Sequence, residues 1–268
     1  MKKTILITGS TDGIGFETAK ALVEQGHNVL IHGRNEAKLN EVKTTLLALE
    51  NAGTVEAYRA DFSDMKEVEA LAKAVMEKHA SLDVLINNAG IFKTANPMTK
   101  EGLDVRFMVN TLAPYLLSKE LMPLLSEHSR IVNLSSAAQA PVSMDALLGK
   151  RQISAGEAYA QSKLALTMFT YAMAEELSAS VSSIIAVNPA SLLASKMVKE
   201  GYGITGKDIT IGSSILTRMV LDDAFANIKG DYFDNDIGSF TSPHPDGQNT
   251  EKCKALTEVL ESMLKELI

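Results

Sequence analysis

Tyr159 and Lys163 stand four residues apart in Tyr159-Ala160-Gln161-Ser162-Lys163, a spacing that puts both side chains on one face of a helix. A phenol ordinarily loses its proton near pH ~10, and a fixed ammonium beside it stabilises the phenolate, so such a pair suits proton transfer near neutral pH. Taken alone, the spacing more often marks a packed tyrosine beside a surface lysine. A second candidate is the turn Thr8-Gly9-Ser10-Thr11-Asp12-Gly13-Ile14-Gly15. Its glycines allow a backbone to approach a pyrophosphate closely, and the helix that follows offers free N–H groups and a positive dipole end to the anion. An ordinary tight turn is the plainer reading of the three glycines. A third lies at the end of the second predicted strand, where dinucleotide sites read the adenosine ribose. Gly33, Arg34 and Asn35 stand there. With no acid to accept from a 2′-hydroxyl, and a guanidinium matched to a 2′-phosphate, the corner favours NADP over NAD. Asp12 argues the other way, since its charge in the glycine loop would repel that phosphate, and a solvated surface role for Arg34 is the alternative.

These residues need a frame, and the hydrophobic period supplies one. Apolar β-rich runs at Thr4 to Thr8, Val29 to His32, Val55 to Ala60, Val84 to Asn87, Ile131 to Leu134, Ser183 to Val187 and Asp231 to Phe233 read as strands. Between them, helical spacing covers Ile14 to Gly26, Glu36 to Glu50, Met65 to His79, Glu101 to Leu125, Glu157 to Leu177 and Ile211 to Ala226. Parallel strands need long crossovers, and right-handed crossovers pack helices back onto the sheet. The alternation therefore predicts an α/β fold: a Rossmann-like, doubly wound parallel sheet with helices on both faces, formed by residues 1–268 as a single domain. The 26 basic residues against 33 acids, net −7, give no global electrostatic reason to bind nucleic acid or an anionic membrane. Cys253 is the only cysteine, which excludes an intrachain disulfide and a multi-cysteine zinc site, and no metal site is expected. The apolar run after Met1-Lys2-Lys3 is short for a secretion signal and no run of about 18 apolar residues occurs, so a cytoplasmic protein is expected.

Several stretches in order complete the pattern: Thr8 to Gly15, Ala60-Asp61-Phe62, Asn87-Asn88-Ala89-Gly90, Asn110, Asn133-Leu134-Ser135-Ser136, Tyr159 to Lys163 and Asn188-Pro189. On these the chain resembles the short-chain dehydrogenase/reductase family, over about seven-tenths of its length. Phe107-Met108-Val109-Asn110 and Ser162-Lys163-Leu164-Ala165 are similar to the family's retinol-dehydrogenase-type branch. The resemblance implies an NAD(P)-dependent oxidoreductase that interconverts an alcohol and a ketone or aldehyde by hydride transfer. It assigns four catalytic side chains. Tyr159 is acid and base, Lys163 lowers its pKa and holds the nicotinamide ribose, Ser136 hydrogen-bonds the substrate carbonyl, and Asn110 anchors a water in the proton relay. It also implies a coenzyme path along Gly9, Ser10, Thr11, Gly13, Ile14, Gly15, Arg34, Asp61, Phe62, Asn88, Ala89 and Gly90, then Tyr159, Lys163, Pro189 and Leu192.

Three departures mark this chain. Ser136 and Tyr159 are 23 positions apart, longer than the family's common spacing, so 141–156 is expected to form an extra loop beside the substrate. Ala190 stands where a glycine usually follows the proline, leaving Ser195 or Ala194 to supply the hydroxyl-bearing position beyond it, and Asp12 bears on NADP preference. The segment Ser191 to Ile215 supplies pocket walls, with Met197, Val198, Tyr202, Ile204 and Ile211 as apolar material, which points to an apolar carbonyl compound; core packing or a subunit contact explains the same residues. The long helices after Glu101 and Glu157 are candidates for pairing two subunits across a two-fold. A non-catalytic dinucleotide sensor is the alternative function. A sugar-nucleotide epimerase is less well matched, because such enzymes carry a separate substrate domain.

Overall fold

The computed structural model describes residues 2–176, 181 and 183–268. Among these the strands are β1 (Thr4–Ile7), β2 (Asn28–Gly33), β3 (Val55–Arg59), β4 (Val84–Asn87), β5 (Arg130–Leu134), β6 (Ser183–Asn188), β7 (Lys229–Asp234) and β8 (Ser239–Thr241). They form one sheet in the order β3-β2-β1-β4-β5-β6-β7-β8, parallel as far as β7, with β8 antiparallel at the edge. Period-two alternation feeds two separate cores. Leu6, Leu30, Leu85, Ile131 and Ile184 point to one face, whereas Ile5, Ile7, Ile31, Ile86, Val132 and Ile185 point to the other.

The helices are α1 (Gly13–Glu24), α2 (Glu36–Leu47), α3 (Met65–Lys78), α4 (Val105–Phe107), α5 (Ala113–Glu120), α6 (Met144–Leu147), α7 (Ala155–Glu176), α8 (Lys196–Tyr202), α9 (Thr210–Leu221) and α10 (Thr250–Leu267). Buried residues of α1, α2 and α9 fill one face; those of α3, α5, α7 and α10 fill the other. The chain runs outward from β1 to β3 and returns to β4 on the opposite side of β1. That reversal opens a crevice at the carboxyl ends of β1 and β4, where doubly wound sheets bind ligands. Among the described residues, no helix is long and apolar enough to cross a membrane.

The structure departs from the periodicity in four places. The single helix expected over Glu101 to Leu125 is broken: Asp104 caps α4, Met108–Leu112 runs as a π-helix, α5 follows with Pro114 in its first turn, and a 3-10 turn spans Met122–Leu124. The expected loop 141–156 holds the short α6, capped by Ser143. Helix α7 starts at Ala155, behind a reciprocal cap in which Glu157 N donates to Ser154 Oγ (3.2 Å) and Ser154 N to Glu157 Oε2 (3.0 Å). Leu177, its expected end, lies outside the described residues. Finally, β8 and α10 extend the fold past Phe233. The buried residues of α10, Cys253, Leu256, Thr257, Leu260, Met263 and Leu264, recur every three or four positions, a helical signal present in the sequence.

Candidate active site

At the end of β1 the chain packs closely on the loop after β4. Gly9 has φ +63°, and a Cβ there would stand 2.7 Å from the Cα of Ala89; a Cβ on Gly15 would stand 2.4 Å from Asn88 Nδ2. Asn88 Nδ2 donates to the carbonyls of Thr8 (2.8 Å) and Gly9 (3.0 Å), and Thr8 Oγ1 accepts from the backbone N–H groups of Asn88 and Ala89 at 3.0 Å. The β1 turn and the β4 loop are thus one hydrogen-bonded unit. Asp12 caps α1 by accepting from Gly13 N.

A residue absent from the sequence expectations completes this corner. His32, 3% exposed, accepts from Gly9 N at Nδ1 (3.0 Å), contacts the Ala60 carbonyl through Nε2 (3.0 Å) and stacks on Phe62 at 4.2 Å. An acceptor at Nδ1 and a carbonyl at Nε2 require the neutral tautomer with its proton on Nε2. Burial holds its pKa down to about 4. The only sequence sign is a polar residue inside a buried strand.

These elements border a cleft of about 550 Å³. Gly9, Thr11, Gly13, Ile14, Asn88, Ala89 and Gly90 line its glycine-turn end, and Arg34, Asp61 and Phe62 its outer corner. Lys38, also unforeseen, lines that corner and pairs with Asp12 at 2.8 Å. Its hydrogen bond holds the Asp12 carboxyl below the ordinary range, so the acid that argued against a 2′-phosphate has a cation of its own. Asp61 Oδ1 accepts from Ser63 N and Oγ. Ser10 and Gly15 are placed behind the cleft and not on its wall. Ser10 Oγ donates to the Ile7 carbonyl and accepts from His32 N, which ties β1 to β2, and Gly15 is buried against Asn88.

Tyr159, Lys163 and Pro189 line the opposite end. Lys163 Nζ donates to the Leu134 carbonyl at 2.6 Å and lies 5.8 Å from the centre of the Tyr159 ring. Burial brings the Lys163 ammonium down to about 8 and pushes the Tyr159 phenol up to about 12, with Ser136 hydrogen bonding opposing the latter. Desolvation dominates the phenol's shift, and the group that opposes it is the Ser136 hydroxyl. Ser135 lines the cleft, while the neighbouring Ser136 is half-buried and presents its hydroxyl toward Tyr159. Its carbonyl accepts from Tyr232 Oη (3.1 Å) and Gln139 Nε2 (3.0 Å), and Gln139 Oε1 accepts from His244 N, so the C-terminal segment holds the Ser136 loop. Asn110 is fully buried at the π-helical turn. It brackets Ile91 (N to Oδ1 2.8 Å, Nδ2 to O 3.0 Å) and donates to Ser162 Oγ at 2.9 Å.

Beyond β6, Ala190 (φ +122°) and Leu192 (φ +57°) both take left-handed backbone. Leu192, expected on the coenzyme path, lies outside the cleft wall in this structure and is 42% exposed. Ser195, not Ala194, lines the cleft, while its hydroxyl caps α8 by accepting from Val198 N. Asp236 clamps this segment. Its carboxylate accepts from Ser191 N (3.0 Å), Ser191 Oγ, Asn188 Nδ2 (2.9 Å) and Lys207 Nζ (3.4 Å). Burial alone would raise that carboxyl, and these partners hold it below the ordinary range.

Residues 3–202 match the short chain dehydrogenase family model. Polyprenol dehydrogenase of Homo sapiens is 36% identical over 192 residues, covering 69% of this chain and 58% of that protein's length. Retinol dehydrogenase 13 of Homo sapiens is 28% identical over 273 residues, 95% of this chain and 82% of that protein. The Pseudomonas aeruginosa RhlG complex with NADP shares the fold, with a TM-score of 0.70 at 23% identity over 87% of this chain and 94% of that one. The chain belongs to the short chain dehydrogenase family of NAD(P)-dependent oxidoreductases, within its retinol dehydrogenase-like branch.

Proposed function

We propose that this protein is an NADP-preferring oxidoreductase that interconverts an alcohol and a ketone or aldehyde, with residues 1–268 acting as one domain. The observation that carries the reading is one cleft with a glycine turn at one end and Tyr159 with Lys163 at the other. Gly9 and Gly13 line the cleft at the start of α1 and let a pyrophosphate approach the backbone, and Arg34 offers a guanidinium where a 2′-phosphate would lie, beside a Lys38 already paired with Asp12. RhlG, of the same fold, is described as an NADP complex, in keeping with that cofactor. When bound, a nicotinamide dinucleotide supplies the hydride.

The chain's own residues manage the proton and the charge. In reduction Tyr159 Oη gives its proton to the substrate oxygen, and in oxidation it takes it back. Ser136 Oγ donates to the same oxygen and stabilises the negative charge that develops on it. Lys163 carries positive charge beside the phenol and favours its ionised form during turnover, and Asn110 anchors the water that passes protons on from Lys163. Tyr202, Ile204 and Ile211, each at least 40% exposed, offer apolar surface after β6 that favours an apolar carbonyl compound.

Absorbance at the reduced nicotinamide band, with NADPH or NADH and a panel of ketones and aldehydes, tests the reading. Turnover with a lower KM for NADPH is expected, and Tyr159→Phe should reduce kcat by about a thousandfold or more while leaving NADPH affinity near its starting value. A fully active Tyr159→Phe protein defeats the proton-transfer role. NADPH binding without turnover of any carbonyl marks a dinucleotide sensor instead.

A further inference from the structure

A second cavity, of about 440 Å³, shares no lining residue with the coenzyme cleft and lies between the loop after β4, helix α4 and the loop leading into α7. Pro97, Met98, Ala146 and Ile153 give it apolar walls. Lys93, Arg106 and Arg151 also border it, against a single lining acid, Asp104. A local excess of positive charge on a chain of net charge −7 is a feature of this place and not of the surface at large.

The cations are unequally satisfied. Arg106, 4% exposed, pairs with Asp104 at 2.5 Å and donates to the Phe92 carbonyl at 3.2 Å, yet its buried Nε has no hydrogen-bond partner. Among the described residues neither Lys93 nor Arg151 has a carboxylate within ion-pair distance, although Arg151 is near enough to Glu157 to help the Ser154 hydrogen bonds hold that carboxyl below its ordinary range; Lys93 lies over the Phe92 ring at 5.9 Å. A pocket of a few hundred cubic ångströms with mostly apolar walls and a few convergent polar groups has the build of a small-molecule site.

We propose that this cavity binds a small organic anion, an apolar body carrying a carboxylate, with Lys93 and Arg151 meeting the charge and Pro97, Met98 and Ile153 enclosing the body. The site adjoins the reaction centre through one residue: Phe92, whose carbonyl Arg106 holds, packs its ring on Tyr159 at 5.1 Å. A free carboxylate and the carboxylate end of a carbonyl substrate present the same group, and the experiment separates the two.

Calorimetric titration of the full-length protein, saturated with NADP so that the coenzyme cleft is filled, with hexanoate and with its neutral analogue hexanamide measures the charge preference directly. Hexanoate is expected to bind about tenfold tighter, and the combined Lys93→Gln and Arg151→Gln substitution should bring it to the level of the amide. Both positions are exposed, and the melting temperature of the ligand-free variant checks the fold. Arg151→Lys keeps the charge and should keep most of the preference. Competitive inhibition of carbonyl turnover by hexanoate assigns the carboxylate to the substrate's own far end; binding without competition assigns it to a separate anion. Equal affinity for acid and amide, no binding of hexanoate, or a preference that survives the double substitution overturns the site. The acid-over-amide preference is read as binding, without turnover, so the site fails or stands independently of the proposed reaction; only the choice between substrate end and separate anion uses turnover.

Discussion

The two ends of the cleft are built by different means. The glycine-turn end is held by backbone packed against backbone: Gly9 on Ala89, and Asn88 on the carbonyls of Thr8 and Gly9. The far end, from Asn188 to Ser195, follows a strained path through Ala190 and Leu192 and is tied down by side chains from the β7–β8 turn, chiefly Asp236. The first arrangement has no slack and the second can be loosened one hydrogen bond at a time. A coenzyme common to a whole family requires the first, and a substrate that differs between members is compatible with the second.

The sharpest break of this contrast is Gly9→Ala. The new methyl meets a backbone Cα at 2.7 Å and the residue must hold φ +63°, so left-handed strain and overpacking add. Chemical denaturation should show a loss of about 3 kcal/mol or more, with NADPH affinity falling steeply. A loss smaller than that of an Asp236 substitution would reverse the proposed order of rigidity.

His32 sharpens the same side through pH. Its folded pKa of about 4 lies below the ordinary 6.5, so between these values the unfolded chain binds more protons than the folded one. Stability is full above pH 6.5 and is lost as pH falls through 4, by about 3 kcal/mol at most. His32→Asn removes the titration and keeps an acceptor for Gly9 N at the Nδ1 position, so its acid loss should be smaller and its KM for NADPH near wild type. His32→Gln reaches the Ala60 carbonyl but not Gly9, and should raise that KM. Equal behaviour of the two variants would show that the Gly9 contact does not set the coenzyme turn.

Asp236→Ala probes the other end. Removing a partly buried acceptor of four hydrogen bonds should cost about 2 kcal/mol. Hydrogen exchange should lose protection over 189–195 while the amides of 9–15 keep theirs, and KM for the carbonyl should rise several-fold. Loss of protection at both ends together would mean that the two halves open as one unit.

The same division explains what could be read from the sequence. Strand and helix alternation, the glycine turn and the Tyr159 and Lys163 spacing are local patterns, and the structure places them where the period put them. His32 carries only the local mark of a polar residue in a buried strand, and Lys38 and Asp236 carry none. Their partners Gly9, Asp12 and Ser191 lie 23, 26 and 45 residues away, and only the folded sheet brings each pair together. The break at Asn110 is tertiary as well, since the π-helical turn aligns its amide with Ile91 and Ser162. Helix α10 is a different case, because its apolar spacing was present in the sequence and lay beyond the last motif.

The smallest expected effect tests whether strain after β6 is stored or merely tolerated. At φ +122° an alanine Cβ is crowded, a conformation that costs on the order of 1–3 kcal/mol, whereas glycine adopts it freely. Glycine also adds chain entropy to the unfolded state, which offsets about 0.5–1 kcal/mol of that relief. Ala190→Gly should therefore raise stability by about 1 kcal/mol or slightly less, a gain of a few degrees in melting temperature. The Asn188 and Ser191 contacts to Asp236 flank the position, so relief depends on whether they fix the backbone independently of the side chain. If so, Ala190→Gly gains the same increment in the Asp236→Ala background. If the increment vanishes there, the clamp itself creates the strain, and the far end of the cleft is held under tension by Asp236.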